Sequence, residues 1–114
     1  MPTKEFYFEQ IEKELATGLA AEKIGNDGMA RVCARRAIGN ALTWFITKYP
    51  RPAWGTDAMR QLRELQNDEF FSKEVRDAAV RLCTRVDANF RLPFNEKPLD
   101  DARLIISAIE SFMQ

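Results

Sequence analysis

Three features of this 114-residue chain predict an all-α domain, an antiparallel up-and-down bundle of about five helices. Apolar residues recur at spacings of three and four in five separate segments, no segment alternates with the period of two that marks a strand, and Gly- or Pro-containing breaks fall between the segments. The length suits one domain, residues 1–114, with a core of useful size. Hydrophobic residues make up 46 % and charged residues 30 %, the profile of an ordinary globular chain.

The first segment spans about residues 4–24. Phe8, Ile11, Leu15, Gly18 and Leu19 fall on one face, while Glu5, Glu9, Glu12, Lys13 and Glu14 take the other. Thr3 suits the N-cap, Gly25 ends the helix, and Asp27 is a candidate cap for the next one. Phe6-Tyr7-Phe8 cannot all face inward, so at least one should be exposed or meet another chain. The second segment, about 29–49, is apolar around most of its circumference. Ala30, Cys33, Ala37, Ala41, Trp44 and Phe45 lie on it, and it reads as the central helix. "YPRPAWGT" is a loop broken by two prolines. Segment three, 57–67, carries Met59, Leu62 and Leu65; Phe70-Phe71 reads as a hydrophobic hinge to segment four. Segment four, 73–87, has Val75, Ala78, Ala79, Leu82, Cys83 and Val86 in register, with Ser72 as its cap. After the loop "NFRLPFNEKP", segment five, 99–113, aligns Ala102, Ile105, Ile106, Ile109 and Met113.

The chain has no histidine. That removes Ser–His and Cys–His nucleophile pairs, mixed Cys/His zinc sites and the Glu-x-x-His motif of di-iron bundles. Cys33 and Cys83 lack C-x-x-C spacing and read as small buried hydrophobes rather than metal ligands or a redox pair. "GNDG" and "AIGN" match neither a P-loop nor a dinucleotide fingerprint, so no cofactor and no metal is expected. Asp100-Asp101, at the start of segment five, fits helix-dipole stabilisation better than metal binding. The acidic, amphipathic N-terminus lacks signal-peptide order, and no apolar run is long enough to span a bilayer. The expectation is a cytoplasmic protein without membrane contact.

Charge is unevenly placed along a chain whose 17 basic and 17 acidic residues balance. Residues 1–27 hold three Lys against six acids, 28–56 hold five basic residues and no acid, and 57–114 hold nine basic against eleven acidic. The basic block (Arg31, Arg35, Arg36, Lys48, Arg51) has two readings. Segments one and two can pair their opposite charges across a shared seam. Alternatively Arg31, Arg35 and Arg36, with Asn40 one turn beyond Arg36, form a face for a nucleotide or RNA, although a pI near 6.3 is not that of a dedicated nucleic-acid domain and nothing points to DNA. Arg36 lies between Met29, Val32 and Thr43. It is therefore expected to be buried and paired with an acid of segment one (Glu12, Glu14 or Glu22) or of a dimer mate.

The stretch "AAEKIGNDGMARVCARRAIGNALTWFI" resembles the first helical hairpin of small HEPN-domain (higher eukaryotes and prokaryotes nucleotide-binding) proteins. "AAVRLCTRVDANFRLPFNEKPLDDARLIISAIESF" is similar to the closing pattern of that family, so the resemblance covers nearly the whole chain. Active ribonucleases of the family carry an Arg followed four to six residues later by His. Arg85 stands in the comparable region, with Phe90, Arg91 and Leu92 where the His would be. The resemblance implies a HEPN-like bundle, a homodimer, no ribonuclease activity, and a small nucleotidyltransferase as a partner in a toxin–antitoxin-like pair.

Overall fold

Thr3 starts the chain's first helix by accepting a hydrogen bond from Phe6 N at 3.1 Å, which satisfies one of the donors a helix start leaves open. In the computed structural model, which describes residues 2–89 and 91–114, α1 runs Lys4–Lys23, α2 Asp27–Lys48, α3 Ala58–Leu65, α4 Lys73–Cys83 and α5 Pro98–Phe112. A single 3-10 turn, Pro52–Trp54, lies in the proline loop before α3. All regular structure among the described residues is helical.

The α1–α2 turn uses Gly25 at φ 78°, a conformation that a side chain disfavours. Asn26, rather than Asp27, then caps α2 through Met29 N at 3.1 Å; Asp27 is the first helical residue. Ser72 caps α4 through Val75 N, as its position predicts. α5 opens on Lys97-Pro98 without a side-chain cap.

α2 is the axis of the bundle. It packs against α1, α3 and α5, while α4 closes the ring by packing on α3 and α5. Ala34, Ala37, Ile38, Ala41, Leu42 and Phe45 are fully buried. α1 contributes Tyr7, Ile11 and Leu15, α4 Val75, Ala79 and Leu82, and α5 Ala102, Ile105 and Ile109. Leu19 departs from the expected core face and is 40 % exposed. Of the three consecutive aromatics, Tyr7 is buried, Phe8 packs edge-on to Trp44, and Phe6 is 46 % exposed. Phe71 is buried and Phe70 caps a cluster with Phe45, Tyr49 and Phe112.

Gly18 sets the closest approach of three helices. A Cβ there would stand 2.8 Å from Leu99 Cδ2 and 2.9 Å from Cys33 Cβ. The leucine end can turn aside, but the cysteine Cβ moves only with α2. Gly18→Ala gains up to about 1 kcal/mol of helix propensity. Overpacking costs about 1–3 kcal/mol. The variant is therefore expected to unfold at lower urea than the parent; an unchanged or higher midpoint would show that α1 and α2 can separate freely.

Candidate functional site

Three of the four basic residues of α2, Arg31, Arg35 and Lys48, go to helix ends. Arg31 is only 7 % exposed. Its Nη2 donates to the carbonyls of Thr84 at 2.6 Å, Leu82 at 3.2 Å and Arg81 at 3.3 Å, sharing two hydrogens among three acceptors. Arg35 Nε adds a bond to Leu82 O at 2.9 Å. At the same helix end Thr84 N bonds Arg81 O, and Thr84 Oγ1 bonds Val80 O at 2.8 Å. The carbonyls of Val80, Arg81 and Leu82, which have no partner further along α4, are thereby satisfied, and two guanidinium charges sit at the negative end of the helix dipole. Burial, and then the neighbouring Arg35, press the Arg31 guanidinium below its usual pKa. Arginine nevertheless stays charged at any relevant pH.

The same device recurs at the other end of α2. Lys48 Nζ and Tyr49 OH both donate to Phe112 O at the end of α5, at 3.0 and 3.2 Å. Arg51 Nε bonds Asp68 at 2.8 Å, and its guanidinium lies 5.4–5.7 Å from the ring centroids of Phe45, Trp54 and Phe70.

Two expectations are corrected. Arg36 is exposed, not buried, and makes no ion pair among the described residues. The reason is its angle on the helix: five residues separate it from Arg31, so the two point to opposite sides. Nor do α1 and α2 pair their charges; the α1 carboxylate that forms an ion pair, Glu22, reaches Lys97 at 3.1 Å. The expected Arg31–Arg35–Arg36–Asn40 face is therefore divided. Arg31 and Arg35 turn to α4, Arg36 turns to solvent, and Asn40 Nδ2 bonds Arg36 O at 3.0 Å in the helix. Arg85 is exposed on the segment after α4 and joins none of them. Phe90 lies outside the described residues.

The buried ion pair of the structure was not singled out by sequence. Asp101, 4 % exposed, accepts from Arg81 Nε at 3.0 and 3.2 Å and from Nη2 at 2.8 Å, a forked pairing that raises the Arg81 pKa. Arg81 also reaches Glu96 at 3.6 Å. The sequence signal was present as two adjacent acids opening an otherwise apolar helix.

One groove, ≈ 730 Å³, opens where the α1–α2 turn meets the 84–97 segment and the start of α5. Val86, Leu92, Phe94 and Pro98 give it apolar walls, while Arg31 and Arg91 bring positive charge. Nε and Nη1 of Arg31 have no hydrogen-bond partner among the described residues. Glu22, Asp27 and Glu96 also line it, so its charge is mixed. Among the described residues no three Cys, Asp or Glu side chains converge as a metal site would require, and no helix is long and apolar enough to cross a membrane.

The fold and these contacts define a five-helix bundle with a basic central helix that closes the ends of its neighbours. Comparisons of the chain with protein-family models, with curated proteins and with solved structures found no match.

Proposed function

We propose that this chain is a non-catalytic, HEPN-like binding protein that acts as a homodimer. What supports the reading is the division of its surface. Arg31 and Arg35 are held by backbone carbonyls, away from Arg36 and Arg85, while large apolar side chains stay open: Phe6, Leu19, Ile24, Met29, Val86. Ile24 is 81 % exposed. Where such side chains adjoin in a patch, they offer a surface for contact with another macromolecule. A nucleotidyltransferase as a second partner is carried over from the family resemblance alone.

A second reading, a nucleotide- or RNA-binding protein, is favoured by the groove. There Arg31, Arg91 and Phe94 line the same groove, residue types that can hold a phosphate and a stacked base. One preparation tests both readings. Light scattering should give twice 13.1 kDa, and RNA incubated with the protein should remain intact. Salt-dependent nucleotide affinity that disappears in Arg91→Ala would put the second reading first. RNA cleavage that survives repurification and is lost in Arg85→Ala would overturn the non-catalytic reading.

A further inference from the structure

We infer that the groove beside the α1–α2 turn is a site for a small organic carboxylate with an apolar body, its charge held by the donors that Arg31 has left over. The inference goes beyond the homodimeric reading and does not depend on it. Within the groove it sets a singly charged occupant in place of the nucleotide of the second reading.

Arg31 is 7 % exposed, and its three backbone acceptors all bond Nη2. A guanidinium has further N–H donors on Nε and Nη1. A polar atom without a partner is either enclosed or open to solvent. The enclosed one among the described residues is Gln61 Oε1, so Arg31 Nε and Nη1 are open. The open space that Arg31 borders is the groove. No carboxylate forms an ion pair with Arg31 among the described residues. Closing the end of α4 and holding an anion are compatible, because they draw on different nitrogens of one side chain.

The acids of the groove are answered within the fold. Glu22 meets Lys97 at 3.1 Å and Glu96 meets Arg81 at 3.6 Å. Asp27 stands in the first turn of α2, where the helix dipole favours a negative charge. The cations of the lining without an ion pair among the described residues are Arg31 and Arg91. A di- or triphosphate would bring several charges up to three carboxylates, whereas a carboxylate brings one, to a cation that is already desolvated. That desolvation is complete before the ligand arrives, so the site is preorganised.

The remaining walls set the rest of the ligand. Val86 is exposed, and Leu92, Phe94 and Pro98 are half-buried. An apolar ligand body would cover side chains that the fold leaves open to water. The groove volume of ≈ 730 Å³ falls within the roughly 300–1,000 Å³ of small-molecule sites, whose linings are likewise mostly apolar with a few placed polar groups.

Titration of the isotope-labelled full chain with naphthoate, followed by NMR at the Arg31 Nε–H resonance, tests this. The resonance should shift saturably, with a Kd of about 1 mM or tighter. Naphthalenemethanol, which lacks the charge, and acetate, which lacks the apolar body, should each bind at least about tenfold more weakly. Val86→Glu sets a like charge in the groove at an exposed position. It should weaken naphthoate at least about tenfold with helical circular dichroism unchanged. The absence of a saturable shift at Arg31 Nε–H, or equal affinity for naphthalenemethanol, would overturn the inference. Tighter binding of adenosine monophosphate than of naphthoate would overturn it and put the nucleotide reading first. Dimer formation does not enter these readouts, so failure here leaves the homodimeric reading standing.

Discussion

Asp101→Ala is expected to destabilise the bundle by about 3 kcal/mol or more, a large part of a small domain's net stability. The carboxylate is 4 % exposed and takes three contacts from Arg81, joining the last turn of α4 to the first turn of α5. Removing it leaves a half-buried guanidinium whose remaining ion-pair partner among the described residues is Glu96, at 3.6 Å. The cost arises from the stranded partner more than from the lost attraction, so replacing both residues with apolar ones should cost less than the two single changes combined. Urea melts of Asp101→Ala, Arg81→Met and the double variant check this; a shift under about 1 kcal/mol for Asp101→Ala would mean that water already serves the pair.

Arg31→Ala is expected to cost about 2–4 kcal/mol, because charged hydrogen bonds are each worth about 1.5–3 kcal/mol and buried carbonyls lose their donor. Arg31 donates to three carbonyls; without it Leu82 O keeps Arg35 and Arg81 O keeps Thr84 N, while Thr84 O loses the donor it has at 2.6 Å. The last turn of α4 should loosen first. Amide exchange at Leu82, Cys83 and Thr84 should rise relative to exchange at Val75.

The same contacts explain which parts of the fold the sequence made legible. Thr3 and Ser72 cap their helices through residues three positions on, so a local pattern suffices to find them. The end of α4 is different. The apolar repeat continues to Val86, which favours a helix to residue 87, but the helix stops at Cys83 and leaves Val86 44 % exposed. The carbonyls of Arg81 and Leu82, which a longer helix would offer to Arg85 N and Val86 N, are held by Arg31 and Arg35 from about fifty residues away. No local pattern contains that information. The basic block is visible in the sequence as a block, but most of its acceptors are backbone carbonyls, which every residue carries, rather than acids. Met29, Val32 and Thr43 beside Arg36 suggest an enclosed face, yet Met29, Arg36 and Thr43 are all exposed. The groove depends on how the 84–97 segment lies across the start of α2, and a loop path of that kind has no periodicity to read.

Arg31, Arg35 and Lys48 of α2 close helix ends, and paired urea melts of Arg31→Ala and of the solvent-facing Arg36→Ala test this most directly. Arg31→Ala should lose about 2–4 kcal/mol. Arg36→Ala, at a surface position, should stay within about 0.5 kcal/mol of the parent. Equal midpoints for the two variants, or a larger loss for Arg36→Ala, would contradict it.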